Sequence, residues 1–156
     1  MRKAFSEWIT NKADKDKNII LIVGDIGYKI FDKYRSKFPD RFINIGICEQ
    51  SMIGVAAGMA LKGLKPYVYT ITPFLIERPY EQIKVDIYCN NVNVKLVGYA
   101  DYPRQGPTHR CFDEHILDKM FQCYYPNNSK ETLKYLDSMY SNDKPAFISL
   151  KRDKLC

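Results

Sequence analysis

The sequence predicts an α/β protein, a doubly wound and mostly parallel sheet flanked by helices. Three observations predict it. Ile19-Ile20-Leu21-Ile22-Val23 is an unbroken apolar run, mostly β-branched, of the kind that forms a strand buried on both faces. Strand-like runs then alternate with segments of helical spacing along the chain, the pattern of βαβ units. Several strand-like runs give way to glycine and to acidic or amide residues, at the strand ends where ligands meet such sheets.

Each element follows from its own pattern. Residues 1–12 read as an amphipathic helix with Phe5, Trp8 and Ile9 on one face, and 11–18 as a polar loop. Gly24-Asp25-Ile26-Gly27 closes the first strand as a turn, and an acid between glycines there either caps a helix or meets a ligand. Ile30, Phe31, Tyr34 and Phe38 have helical spacing, and Pro39 ends that helix. A second strand over 42–45 leads into a helix over 50–62. Gly54, Ala57, Gly58 and Ala60 let another backbone approach this helix, either the sheet or a neighbouring subunit.

A third strand over 66–71 precedes a helix from 72 to about 90, a turn at 91–93 and a fourth strand over 94–98. The Gly/Pro-rich loop 99–110 follows a strand's carboxyl end, where substrate contacts are expected. Beyond it the pattern predicts a helix over 113–122 with His115 in a structural role, and a short strand ending at Pro126. A helix over 129–140 follows, capped by Ser129, with Leu133, Leu136 and Met139 facing the core. The last strand spans 145–150.

Composition bounds the function. The 156 residues suit one domain with a core of its own, and 46% hydrophobic residues fit a globular protein. The net charge of +6 is spread without a block of five like charges, so it reads as a solvated surface open to an anionic substrate or acidic partner. Nucleic acid is disfavoured, because no basic stripe interleaves with aromatics. Five scattered cysteines, none in a C-x-x-C pair, and two histidines argue against a disulfide framework and a zinc site, and point to a reducing, cytoplasmic setting. The start of the chain lacks the apolar run of a signal peptide, and no run approaches a transmembrane span.

The stretch Ile45-Gly46-Ile47-Cys48-Glu49-Gln50, followed by Gly54-Val55-Ala56-Ala57-Gly58-Met59-Ala60, resembles the "GIAEQ…AAG-A" signature of the transketolase pyrimidine-binding domain. Transketolases and deoxyxylulose-phosphate synthases share that domain and use thiamine diphosphate. Residues 72–83 resemble the family's "TF…RAxDQI" segment, and Gly106-Pro107-Thr108-His109 matches its "GPTH" loop. The resemblance covers about 19–150.

By spacing alone Glu49 is a first-turn acid, which a helix N-terminus favours. The resemblance gives it a catalytic role: it hydrogen-bonds the cofactor's aminopyrimidine and drives that ring toward its imino tautomer. The resemblance also implies that Phe74 stacks on the pyrimidine, with Tyr80 and Tyr69 as alternatives. Asp25, Gln50 and Ile47 then lie near the cofactor, and His109 faces the thiazolium and substrate and moves protons. Arg104, Arg110 and Arg78 are candidates for holding a substrate anion, since guanidinium groups match phosphate and carboxylate.

The family's Gly-Asp-Gly…Asn motif, which binds the diphosphate through magnesium, is missing. The resemblance therefore implies one pyrimidine-binding domain over 1–156, working with a separate subunit that carries the diphosphate-binding domain and holds Mg2+. A heterotetramer or a homodimerising pair would act on a small sugar substrate. The implied activity is transfer of a two-carbon ketol unit between sugars. The alternatives are the β-type half of a 2-oxo acid dehydrogenase or decarboxylase, and a non-catalytic structural or regulatory relative.

Overall fold

The computed structural model describes residues 1–99 and 105–151. Among them lie strands β1 (Ile19–Val23), β2 (Phe42–Asn44), β3 (Lys65–Ile71), β4 (Lys95–Tyr99), β5 (Gln122–Tyr124) and β6 (Ala146–Leu150). Helices are α1 (Arg2–Lys15), α2 (Asp32–Lys37), α3 (Glu49–Leu61), α4 (Thr72–Ile76), α5 (Tyr80–Gln82) and α6 (Ser129–Tyr140). The strands form one sheet in the order β2-β1-β3-β4-β6-β5. Every neighbouring pair is parallel, so the sheet is wholly rather than mostly parallel.

Strand alternation sorts the core into two layers. Leu21, Tyr67, Tyr69, Val97 and Ile148 face a layer built with Phe5, Trp8 and Ile9 of α1, Tyr34 of α2 and Leu136 of α6. Ile22, Val68, Leu96 and Phe147 face the other layer, with Met52, Ile53 and Ala56 of α3 and Leu75 of α4. The first layer is aromatic. Phe5 stacks on Tyr69 with ring centroids 5.9 Å apart, and Phe31 meets Tyr69 edge-on at 4.8 Å. Such pairs add about 1 kcal/mol each beyond burial.

Several elements differ from the sequence pattern. α1 runs on to Lys15, through part of the predicted loop, because Ala13 still faces the core. The helix predicted from 72 to about 90 is broken. α4 ends at Ile76, Pro79 interrupts the ladder, and the segment after α5 is π-helical over Ile83–Tyr88. There Cys89 N donates to Lys84 O at 3.0 Å, five residues back.

The predicted helix over 113–122 is a series of turns, and Gln122 belongs to β5. Acidic side chains divert it: Asp113 accepts from the His115 N–H at 2.9 Å, and Glu114 accepts from the Ser149 hydroxyl at 3.1 Å. α6 is capped by Asn128, not Ser129. Asn128 Oδ1 accepts from Glu131 N at 2.9 Å, while Glu131 accepts in return from Asn127 N. Leu133 is exposed, and Thr132 joins Leu136 and Met139 on the inner face.

Gly98 marks a close approach between β4 and α4. A Cβ there would lie 2.6 Å from Thr72 Oγ1 and 3.1 Å from the Phe147 ring. Gly98→Ala is expected to destabilise the fold by about 1–3 kcal/mol, read as a lower urea midpoint at unchanged slope.

Lys95 is buried at the start of β4, where its ammonium donates to the carbonyls of Asn142 and Lys144. Burial strips its hydration and pushes its pKa down to about 8. The folded chain then releases this proton at lower pH than the unfolded chain, so stability gains as pH rises from about 8 toward the ordinary lysine value. Relative to Lys95→Met, the wild-type chain is expected to gain up to about 3 kcal/mol across that window, measured by denaturation at a series of pH values.

Candidate active site

The chain leaves β1 for β2 on one side of the sheet and then crosses back to β3 on the other. Reversal of strand order opens a crevice beyond the carboxyl ends of β1 and β3. A cleft of about 360 Å3 lies there, lined among others by Asp25, Ile47, Glu49, Phe74, Arg78 and His109.

Local chemistry places each of these. Asn44, the last residue of β2, ties two turns together. Its Oδ1 accepts from Asp25 N at 3.0 Å and from Gly46 N at 3.1 Å, and its amide donates to Asp25 Oδ1 at 3.2 Å. Asp25 takes a left-handed backbone with φ 52°, a conformation that Asp tolerates. Gly46 has φ 76°, where a residue with a Cβ is strained. The turn delivers Glu49 to the first turn of α3, 4% exposed.

Phe74 sits on α4, and Arg78 follows in the break before α5. Arg78 Nη1 donates to Glu49 Oε1 at 2.9 Å, and the guanidinium carbon lies 3.7 Å from the centroid of the Phe74 ring. His109 reaches the same ring from the loop after β4, edge-on with centroids 4.8 Å apart. Gly106, at φ 106°, starts the short 3₁₀ turn Pro107–His109, in which His109 N donates to Gly106 O at 3.1 Å. The Thr108 hydroxyl lies 3.1 Å from His109 Nδ1.

Four segments far apart in sequence thus converge on one cleft. Gln50 does not line it: its side chain is exposed and its amide donates to the Arg78 carbonyl at 3.5 Å. Arg110 is exposed and outside the lining, and Arg104 lies outside the described residues. Of the three aromatic candidates, Phe74 is the one at the cleft. Tyr69 is buried in the aromatic layer on the opposite face of the sheet, and Tyr80 packs against the aliphatic layer. His115 pairs with Asp118 at 3.0 Å, away from the cleft.

Two site residues escape a reading of the sequence. Thr70, near the end of β3, is fully buried and lines the cleft, and its hydroxyl has no hydrogen-bond partner among the described residues. The signal is one polar residue in an otherwise apolar strand end. Asn44 carries no signal, because its work depends on the turns at Asp25 and Gly46 meeting in space.

Two of the thiols, those of Cys111 and Cys123, are poorly suited to nucleophilic chemistry at neutral pH. Burial, reinforced by Glu77, pushes Cys111 up to about 12, and burial with Asp118 does the same for Cys123. Among the described residues no group of three or more His, Cys, Asp or Glu gathers to hold a metal ion. What the cleft offers is a buried carboxylate beside an aromatic face, an arrangement that accepts an N–H from a flat ring.

Residues 1–156 match the family model for the transketolase pyrimidine binding domain. The chain belongs to that family. It is 38% identical over 125 residues to one subunit of the apulose-4-phosphate transketolase of Actinobacillus succinogenes, covering 76% of this chain and 40% of that one. It is 30% identical to the 1-deoxy-D-xylulose-5-phosphate synthase of an Acidovorax species, over 96% of this chain and 25% of that one. This pyrimidine-binding domain therefore spans less than half the length of these curated relatives. A solved structure described as a split gene transketolase, inactive beta4 tetramer, superposes with a TM-score of 0.87 at 24% identity, covering 99% of this chain and 52% of that one. The transketolase of Campylobacter jejuni superposes with a TM-score of 0.86 at 21% identity, over 99% of this chain and 26% of that one. At these identities the two structures establish the fold.

The Glu49–Arg78 pair joins a buried carboxylate to a partly exposed guanidinium. A double-mutant cycle with Glu49→Gln and Arg78→Ala is expected to give a coupling energy of about 1 kcal/mol, discounted for the exposed partner and measured by chemical denaturation.

Proposed function

We propose that this pyrimidine-binding domain holds the aminopyrimidine ring of thiamine diphosphate in a transketolase-like enzyme. The enzyme transfers a two-carbon ketol unit between sugars or sugar phosphates. The observation that carries the reading is Glu49, buried beside the face of Phe74 in a cleft at the strand-order reversal.

The residues suit a flat amino-heterocycle. Phe74 offers an aromatic face, worth about 1 kcal/mol in an offset stack beyond the area buried. Glu49 accepts an N–H and shares a proton at the ring nitrogen. The buried Thr70 hydroxyl lacks a partner among the described residues, and the Cβ-less wall at Gly24 keeps room beside it: a Cβ there would come within 3.3 Å of that hydroxyl. Thiamine diphosphate supplies a nucleophilic thiazolium carbon. His109, held by its tight turn against Phe74, moves protons at the substrate. Asp25 and Ile47 complete the wall.

The diphosphate and Mg2+ belong, in this reading, to a domain on a separate subunit, which closes the cleft from outside. Ile47, which lines the cleft yet is 68% exposed, favours such a docked wall, because a large apolar side chain beside a site gains by being covered. The split relatives are in keeping with it. The "GPTH" loop favours the sugar-active branch over a 2-oxo acid dehydrogenase half.

Calorimetry tests the proposal. Thiamine diphosphate with magnesium is titrated into the chain alone and into the chain mixed with a subunit bearing the Gly-Asp-Gly…Asn motif. Tight binding only in the mixture is expected, with Glu49→Ala lowering turnover by about a hundredfold or more. No binding in any such mixture moves the function to a non-catalytic role.

A further inference from the structure

In the isolated chain the two groups best suited to a pyrimidine are already engaged, by one side chain. Arg78 donates an N–H to Glu49 Oε1 at 2.9 Å, and its planar guanidinium lies over the Phe74 ring at 3.7 Å from the centroid. A guanidinium is flat, delocalised and rich in N–H donors, and it stacks on aromatic faces. Those are the properties by which an aminopyrimidine would take the same two partners.

We propose that Arg78 is a stand-in for the ring. It fills the pyrimidine's place on Phe74 and Glu49 in the free subunit and must swing out before the cofactor seats. The inference rests on the function proposed above and adds a latch to it.

Two features support the latch. A permanent cation occupies a Glu49 oxygen at 2.9 Å, whereas pairing that oxygen with a ring N–H requires the cation to leave. The side chain is also free to leave. Arg78 sits in the break between α4 and α5 rather than inside a helix, and its side chain is 37% exposed while that of Glu49 is 4% exposed. The carboxylate and the aromatic face are fixed, and the cation is the movable member.

A ligand that binds only the open form has its affinity divided by the open fraction. If Arg78 keeps the site closed nine-tenths of the time, its removal strengthens binding about tenfold. The test titrates thiamine diphosphate with magnesium into the isolated chain and follows backbone and Arg side-chain NMR signals, which read weak binding directly. Arg78→Ala is expected to bind about tenfold tighter than wild type. Glu49→Gln, which also weakens the hold on Arg78 but replaces the anionic carboxylate with a neutral amide, gains nothing. In the wild-type chain the Arg78 guanidinium signals shift on titration.

Equal or weaker binding by a folded Arg78→Ala chain overturns the latch, as does its failure to bind at all. Unmoved Arg78 signals on wild-type binding overturn it too, and this arm needs no variant to fold. If Arg78→Ala does not fold, Arg78→Lys, which keeps the charge but loses the flat stack, takes its place with a smaller gain. Loss of the latch leaves the cofactor proposal standing wherever the mixed-subunit calorimetry still shows binding that depends on Glu49.

Discussion

Parallel pairing of β1 between β2 and β3 is the constraint on which the site depends. Its register sets Val23 beside Asn44 on one side and Tyr69 on the other. The three strands therefore leave the sheet at one edge. The Gly24 N–H donates to the Tyr69 carbonyl at 3.2 Å, and the Ile45 N–H to the Val23 carbonyl at 3.1 Å, so pairing continues one residue past the strands. A slip of one residue would move every side chain of β1 to the other layer, and with Ile19, Leu21 and Val23 packed in one layer and Ile20 and Ile22 in the other, that slip is disfavoured.

The two layers have different tasks. The aromatic layer, with Phe5, Phe31, Tyr67 and Tyr69, is locked at its rim by polar contacts of α1 with α6. Trp8 donates to Asp137 at 3.0 Å and Lys12 pairs with it at 2.8 Å. The aliphatic layer carries α3 and α4, whose first turns bear Glu49 and Phe74. Rigid aromatic packing on the far face thus backs the strands whose ends present the site. The site itself sits where regular structure fails, at the positive-φ turns of Asp25 and Gly46, the broken helix at Arg78 and the 3₁₀ turn at His109.

Departures from local pattern cluster near that edge for a reason. Pro79 breaks what periodicity reads as one helix, and the break releases Arg78 to reach back to Glu49 and Phe74. A continuous helix would fix Arg78 on one face, whereas the interruption lets it bridge two elements. The irregular stretch after His109 has a similar origin, since Asp113 and Glu114 bond to His115 and Ser149 instead of extending a helix.

The sequence by itself determined the strands, the fold class and four of the residues that meet in the cleft. Strand burial is written as unbroken apolar runs, and the family's motifs mark Glu49, Phe74, Arg78 and His109 wherever the chain goes. Asp25 follows from its place at the end of the first strand, and Ile47 from the resemblance. Only the tertiary structure decided which aromatic faces the cleft, because Tyr69 and Phe74 differ by the face of the sheet they occupy and not by any local signal. It also decided that Gln50 lies outside the lining, that Asn44 ties two turns, that Thr70 lines the cleft with a hydroxyl unpartnered among the described residues, and that Arg78 lies on Glu49 and Phe74. Each of these is a contact between segments distant along the chain, fixed by register and crossover rather than by neighbours in sequence.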